Sequence, residues 1–242
     1  IAANLGSMAT PIGNPQNLYL CSAAGLTMAQ FARAVLPYAG LSLVLLLAVL
    51  LLQRDEPLGE ERPEEEGEAA PLSALAPYLL LLALCLLVVF RVVGFVPVLL
   101  CVAAVVLAVN RRLFRSVDYF LLLTFLCFFI FIGNLKRIPA LNDLLLSLVG
   151  GHELLAGILA SQVISNVPAA ILLSGFTQNF AALLTAVNLG GLGTLVASLA
   201  SLITFKFYAA QYPDRKGRFL RSFTLWNAAF LLLLTAAALL LG

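Results

Sequence analysis

The sequence predicts an all-α membrane protein, a polytopic helical protein with inverted repeats, broken helices and a re-entrant hairpin. Three observations predict this class. Hydrophobic residues make up 62% of the 242 residues and charged residues only 11%, whereas globular proteins average about half apolar and a quarter charged residues. Several uncharged runs are long enough to cross roughly 30 Å of hydrocarbon. A short polar motif also occurs twice along the chain.

The first part of the chain predicts two crossings and a linker. Residues 1–25 are apolar but contain glycines and prolines, which interrupt helices, so a broken transmembrane helix ends the first repeat here. Residues 26–53 predict a continuous transmembrane helix. Residues 54–71 are acidic and contain proline, with nothing to bury, and they predict a solvated cytoplasmic linker.

Residues 72–242 predict the second repeat. In residues 153–177, Ser165, Asn166 and Pro168 interrupt an apolar run, and each half of about 12 residues would span only roughly 18 Å. This predicts a re-entrant hairpin, whose second arm we expect to begin near Ala169. The other predicted elements are transmembrane spans at about 72–90, 95–109 and 119–134, a broken span at 180–205 whose second half begins near Leu195, and a final span at 222–241.

The lysines and arginines predict the orientation, because these residues concentrate in cytoplasmic loops. The predicted spans place ten of the 14 on one side: Arg54, Arg62, Arg111, Arg112, Arg115, Lys206, Arg215, Lys216, Arg218 and Arg221. The other side receives Arg33, Arg91, Lys136 and Arg137. We therefore expect a multi-pass protein of the cell membrane whose hairpin opens outward and whose C-terminus lies outside.

The repeated motif is N-L-G-x-x-[A/G]-T. It occurs at residues 4–10 and again at residues 188–194, and the predicted spans run through the two copies in opposite senses. Inverted repeats with discontinuous helices indicate the midplane site of a secondary transporter. The alternative is that asparagine and small residues only aid helix packing in lipid.

The repeat also predicts a missing segment. The hairpin tip at Ser165 and Asn166 precedes Asn188, so its counterpart should precede Asn4 by the same interval, which places it upstream of Ile1. The sequence also begins inside a broken apolar stretch without an initiating Met. We expect a C-terminal fragment whose partner is the missing N-terminal half of the same protein.

The groups predicted at the breaks are uncharged. No Asp, Glu, Lys, Arg or His occurs between Leu154 and Thr177, which disfavours a carboxylate proton relay in this half. Free carbonyl and side-chain oxygens suit a hard cation such as sodium, whereas the N-terminus of a half-helix attracts an anion. We expect no cofactor besides a coupling sodium ion or proton, a small anionic substrate, and no nucleic-acid partner.

The remaining polar residues are interpreted as structural. We expect His152 and Glu153 to be cap residues at the mouth of the hairpin, and Asp118 to be a charged residue at a helix N-terminus. Asn134 and Asn142 have no second copy. The cysteines have neither CxxC nor metal-like spacing and are expected to be packing or lipid-facing thiols: Cys21, Cys85, Cys101 and Cys127.

Four segments resemble the signatures of the ion transporter superfamily, which includes divalent anion/sodium symporters, citrate-type permeases and arsenite permeases. They are NLGSMATPIGNPQNL, ISNVPAAILLS, NLGGLGTLVASLAS and DYFLLLTFLCFFIFIGNL. The resemblance implies two inverted halves, each with a scaffold, a Ser-Asn hairpin and a broken helix, in a homodimer that moves its substrate by an elevator-like mechanism.

Site residues follow from the repeat and the resemblance together. The expected substrate-binding residues are Ser165, Asn166, Thr10 and Thr194. The expected cation-binding residues, which would hold sodium, are Ser165, Asn166, Asn4, Gly6, Ala9, Asn188, Gly191 and Gly193. No catalytic residue is expected, because the chain has one His and no Asp pair within an apolar segment.

Two departures qualify the resemblance. Dicarboxylate symporters usually carry Thr after Ser-Asn, whereas Val167 and Pro168 follow here. Antiporters typically carry Asp-Asn where Ser165 and Asn166 stand. The sequence favours a carrier of a small anion or oxyanion that is coupled to sodium or protons. A sodium/proton antiporter of the same superfamily, a channel and a purely structural subunit stay open as alternatives.

Overall fold

The protein is α-helical throughout the residues that its computed structural model describes, which are 1–52, 72–135 and 137–241. These ranges contain thirteen α-helices, two short 3-10 helices and no strand. The α-helices are α1 (Ala2–Ser7), α2 (Pro15–Ala24), α3 (Met28–Leu52), α4 (Leu72–Val89), α5 (Phe95–Asn110), α6 (Leu113–Ser116), α7 (Tyr119–Leu135), α8 (Pro139–Val149), α9 (Glu153–Ile164), α10 (Asn166–Leu173), α11 (Phe180–Leu189), α12 (Leu199–Gln211) and α13 (Lys216–Leu241). The 3-10 helices are Leu195–Ala197 and Pro213–Arg215. The linker predicted at 54–71 lies outside the described residues.

The predicted class, an all-α membrane protein, is confirmed. Among the described helices, α3 and the stretch Pro213–Leu241 are each long and apolar enough to cross a bilayer alone. Helices α7 and α8 would add a third crossing if they form one bent span. Helix α5 has 16 residues, or about 24 Å, which is less than the roughly 30 Å of hydrocarbon. A crossing at 95–109 therefore stays a prediction.

The chain divides into two compact units. One unit comprises residues 53–122, and within its described part α4 packs against α5. The other unit comprises residues 1–52 and 123–242 and contains every predicted site residue.

The larger unit is organised around helix α11, which is buried from Leu183 to Leu189. One apolar cluster joins α11 to α2, α3 and α10, and it includes Leu20, Val35, Phe176 and Leu184. A second cluster joins α1, α9, α11 and α13 through Leu5, Ile158, Leu189 and Leu234. Helices α9 and α11 approach closely at Gly157, where a Cβ atom would lie 2.5 Å from that of Ala186. Small residues permit such close contact between membrane helices.

The structure differs from the predicted elements in three places. The second hairpin arm begins at Asn166 rather than near Ala169, because a positive φ at Ser165 separates the arms in one residue. Helix α12 begins at Leu199 rather than near Leu195, because the Ser198 hydroxyl caps its N-terminus. Helix α8 lies outside the predicted elements.

Candidate functional site

The tip of the hairpin is the single residue Ser165, which lies between α9 and α10. Its φ of 72° and ψ of 154° fall in a region that costs residues with a side chain on the order of 1–3 kcal/mol. Its hydroxyl donates a hydrogen bond to the carbonyl oxygen of Ala197 at 3.4 Å. The tip is therefore strained and is tied to the second broken helix.

The next residue, Asn166, is buried against that broken helix, with 5% of its surface exposed. Its Nδ2 lies close to the backbone of Gly191, where an added Cβ atom would be only 2.8 Å from it. The Asn166 carboxamide has no hydrogen bond to any other described residue. The fully buried polar atoms without a partner in the described chain are Asn227 Oδ1 and Thr235 Oγ1, so the unbonded Asn166 carboxamide is partly accessible, and a binding role for Asn166 stays a prediction.

The broken helices define two breaks. The first break, residues 8–14, separates α1 from α2, and the second break, residues 190–198, separates α11 from α12. Three successive carbonyl oxygens at the start of the second break accept hydrogen bonds from side-chain amides. Gln162 donates to Gly190 at 2.8 Å and to Leu192 at 3.0 Å, and Asn4 donates to Gly191 at 3.0 Å. Protein partners thus satisfy the backbone where helical bonds are interrupted, as a membrane interior requires.

The repeated asparagines make reciprocal contacts. Asn4 Nδ2 donates to Ser201 Oγ at 3.3 Å, and Asn188 Nδ2 donates to Asn17 Oδ1 at 2.6 Å. The offset in sequence from Asn17 to Ser201 equals the offset from Asn4 to Asn188. Each copy therefore reaches the other at an equivalent position, which is the pattern that a pseudo-two-fold relation between the repeats produces.

The same offset relates the N-caps that follow the breaks. Asn14 caps α2 by accepting from the Asn17 N–H at 2.9 Å, and Ser198 caps α12 by accepting from the Ser201 N–H at 3.2 Å. Asn14 and Ser198 thus occupy equivalent positions in the two repeats. Capping by Asn and Ser satisfies an amide group that the start of a helix leaves without a helical partner. The repeat therefore extends beyond the short N-L-G motif.

Comparison with known proteins identifies the family. The model of the family described as citrate transporter matches residues 1–200 of the chain. The chain belongs to the citrate transporter family. The predicted resemblance to ion transporter superfamily permeases is thereby confirmed.

Two relatives agree with this membership of the citrate transporter family. An uncharacterized transporter of Methanocaldococcus jannaschii is 35% identical over 223 residues, which cover 91% of this chain and 59% of the relative. The inner membrane protein YbiR of Escherichia coli strain K12 is 38% identical over 213 residues, covering 85% of this chain and 56% of the relative. The chain therefore spans a little over half the length of these relatives. No solved structure matches.

The predicted site residues of the second repeat lie together in the structure. Ser165 and Asn166 lie beside the second break, and Gly191 is buried beneath Asn166. Gly193 has φ 99°, and Thr194 is exposed, with its hydroxyl donating to the Gln162 carbonyl oxygen at 3.0 Å.

The predicted residues of the first repeat differ in exposure. Asn4 is buried and contacts the second break. Gly6 and Thr10 are exposed and Ala9 is half-buried. The Thr10 hydroxyl has no hydrogen bond to another described residue. The structure thus brings Asn4 to the second break and leaves Gly6 and Thr10 at the surface of the described chain.

Asn188 lies at the centre of a hydrogen-bond network and is 3% exposed. Besides its bond to Asn17, its Nδ2 donates to the Leu184 carbonyl oxygen at 2.8 Å, and its Oδ1 accepts from Asn14 Nδ2 at 3.0 Å. Both donor hydrogens and the acceptor oxygen therefore have protein partners. The Asn188 side chain connects the two repeats in this structure, and cation binding by Asn188 stays a prediction.

Sequence reasoning missed Gln162 and the residues that surround the two asparagines. The offset between the two motif copies, continued past Thr10 and Thr194, would have found the equivalent pairs that follow them: Asn14 with Ser198, and Asn17 with Ser201. Gln162 has no comparable signal, because its contacts at positions 190, 192 and 194 are made only when the hairpin packs on the break.

The mouth of the hairpin is held by Glu153 rather than by His152. The buried Glu153 carboxylate accepts a hydrogen bond from the Thr177 hydroxyl at 2.8 Å and another from the Gly151 N–H at 3.3 Å. His152 precedes α9 but makes no capping hydrogen bond with its side chain. Glu153 thus joins the beginning and the end of the hairpin.

Proposed function

We propose that the whole protein is a secondary active transporter that moves a small anion or oxyanion across the cell membrane by alternating access, with sodium or protons as the coupling ion. The observation that carries this proposal is the Asn166 carboxamide at the strained hairpin tip, which lies beside the second break, is partly accessible and has no hydrogen bond to another described residue. Strained backbone conformations cluster at active sites and ligand-binding sites.

The groups around Asn166 favour a hard cation. The uncharged oxygens near the tip are the Ser165 hydroxyl, the Asn166 carboxamide and the carbonyl groups of residues 190–192. Each of these carbonyl groups accepts one side-chain amide and keeps a second lone pair. Sodium and similar cations prefer such ligands where a membrane helix is unwound. A bound cation would also offset the charge of an anionic substrate, which lowers the cost of holding both within the membrane.

The substrate is assigned by chemical class. The first turn of α10 places backbone N–H groups beside the same tip, and a helix N-terminus attracts anions. Since the matching family model is described as citrate transporter, citrate is the first anion to test. The Val167-Pro168 pair after Asn166 departs from the dicarboxylate pattern, so we expect dicarboxylates to be poorer substrates.

Uptake by the full-length protein in proteoliposomes tests the function. The anions are citrate, succinate, sulfate, phosphate and arsenite, each measured with and without an inward sodium gradient and an inward proton gradient. We expect saturable uptake of at least one anion that one of the gradients accelerates. Sodium/proton exchange without anion uptake would support the antiporter instead, and conductance without saturation would indicate a channel.

The proposed orientation and assembly have separate tests. We propose that the C-terminus lies outside the cell membrane and that the protein is a homodimer. Alkaline phosphatase fused after Leu241 should be active, and a green fluorescent protein fused there should be dark when it is exported unfolded. The reverse result would overturn the orientation. Light scattering of the purified full-length protein should give twice the mass of one chain, and a single-chain mass would contradict the dimer.

A further inference from the structure

We infer that Gln162 is a positioning residue, which holds the second break against the hairpin so that the oxygens near Asn166 stay at the spacing a coupling ion needs. Gln162 lies in α9, one turn before the hairpin tip, and is half-buried. It is not among the residues predicted to touch substrate or ion. The inference rests on the proposed function, because it concerns the same site.

The Gln162 side chain uses both ends of its carboxamide on the second break. Its Nε2 donates to the Gly190 and Leu192 carbonyl oxygens at 2.8 Å and 3.0 Å. Its Oε1 accepts from the Thr194 N–H at 2.8 Å. The Gln162 backbone carbonyl also accepts from the Thr194 hydroxyl at 3.0 Å. One residue of the hairpin thus fixes three alternate positions of the break.

Glycines in the break make this approach possible. A Cβ atom on Gly193 would overlap the Gln162 Oε1 atom, and the φ of 99° at Gly193 is itself unfavourable for any residue with a side chain. A Cβ atom on Gly190 would lie 2.7 Å from the Ser161 hydroxyl oxygen. Helix α9 and the break therefore touch through backbone on one side and polar side chains on the other.

Gln162 and Asn166 contact alternate residues of the second break. Gln162 bonds residues 190, 192 and 194, whereas Asn166 lies over the backbone of Gly191, between them. The hairpin tip cannot move away from the break unless the hydrogen bonds of Gln162 are broken. The hydrogen bonds of Gln162 therefore couple the position of the hairpin tip to that of the second break.

The test compares Gln162→Leu with the wild-type full-length protein in proteoliposomes, measuring the half-saturating concentration of the coupling ion and the substrate KM separately. Loss of the amide contacts should raise the half-saturating ion concentration about tenfold, with the KM at saturating ion changed by less than about threefold. Gln178→Leu is the matched control, because Gln178 is exposed at the far end of the hairpin. It should leave both constants unchanged.

Gln162→Glu supplies a readout that a general packing defect would not give. A glutamate keeps an acceptor for the Thr194 N–H, but its carboxylate cannot donate to the Gly190 or Leu192 carbonyl oxygens. The protonated carboxyl can donate one such bond. The Tm of this variant should therefore approach that of wild type as the pH falls, because protonation restores one donor. A Tm difference that does not change with pH would contradict the donor role.

Amide hydrogen exchange separates failure of this inference from failure of the proposed function. In the wild-type full-length protein the Thr194 N–H should be protected, and in Gln162→Leu its exchange should be about tenfold faster, because its acceptor is gone. If no tested anion is transported but exchange accelerates, the contact of Gln162 with the second break is supported and the transport proposal fails. If wild type transports and Gln162→Leu changes neither ion affinity nor exchange, the positioning role is wrong.

Discussion

The two breaks share a motif but differ in their surroundings. At the second break, Gly190 and Gly191 are buried and bonded by Gln162 and Asn4. In the first repeat, the equivalent of Gly190 is Gly6, which lies in α1 and is exposed. A Cβ atom added there would meet no atom within 4 Å beyond its own helix and chain neighbours. The difference teaches that the surroundings rather than the motif distinguish the two breaks, since a hairpin packs on the second break and no equivalent hairpin is among the described residues beside the first. Paired substitutions at equivalent positions of the two copies test this directly.

The largest effect is expected for the repeated asparagines. Asn188→Ala removes a side chain with three hydrogen bonds and leaves the half-buried Asn14 and the buried Asn17 without that partner. It should cost about 2–4 kcal/mol of folding free energy, seen as a lower Tm of the full-length protein in detergent. Asn4→Ala removes two hydrogen bonds and should cost less. Equal losses would mean that the two copies are equivalent.

Alanine substitutions at Gly190 and at its equivalent Gly6 should differ clearly in their effect on stability. Gly190→Ala forces a methyl group to within 2.8 Å of the Ser161 Cβ atom and should destabilise the protein by about 1–3 kcal/mol. Gly6→Ala meets no such obstacle among the described residues and should cost less than Gly190→Ala, because alanine favours the helix. Tm measurements on both variants decide. A destabilised Gly6→Ala variant would show that the first break is also closely packed in the whole protein.

Ser165→Gly tests whether the strained backbone at the hairpin tip is needed for ligand binding beside the second break. Glycine adopts the observed φ of 72° at no steric cost, so the variant should gain about 1 kcal/mol of stability and show a higher Tm. Without the hydroxyl that bonds Ala197, its uptake should nevertheless fall. Higher uptake with higher stability would contradict a binding role for Ser165.

The smallest effect is expected for the threonines that end the two motifs. Thr194→Val loses one hydrogen bond to the Gln162 carbonyl oxygen and should lower stability by about 0.5 kcal/mol, since Thr194 is exposed. The Thr10 hydroxyl has no hydrogen bond to another described residue, so Thr10→Val should leave the Tm unchanged. A larger loss for Thr10→Val would reverse the comparison.

The fold class and the family could be predicted from the sequence because both depend on local signals. Long uncharged runs require lipid, and the Ser-Asn and N-L-G motifs lie in short contiguous segments. The break at Ser165 was predictable for the same reason, since Pro168 and the polar pair interrupt an apolar run.

Contacts between distant residues were not predictable in this way. The bonds of Gln162 to residues 190, 192 and 194 and of Asn188 to Asn14 leave no periodic pattern in the sequence. The start of α12 also depended on one capping hydroxyl, that of Ser198, which competes with the preceding apolar residues for the helix boundary. Both kinds of error concern hydrogen bonds that only the packed structure reveals.

The ion dependence of uptake by Asn166→Ala tests the central claim, that the hairpin tip and the second break hold the coupling ion. The full-length variant is compared in proteoliposomes with wild type and with Asn142→Ala, whose side chain bonds only its neighbour Asp143 among the described residues. The half-saturating ion concentration should rise about tenfold or more in Asn166→Ala and stay at the wild-type value in Asn142→Ala. An unchanged value in a folded Asn166→Ala protein would contradict the account.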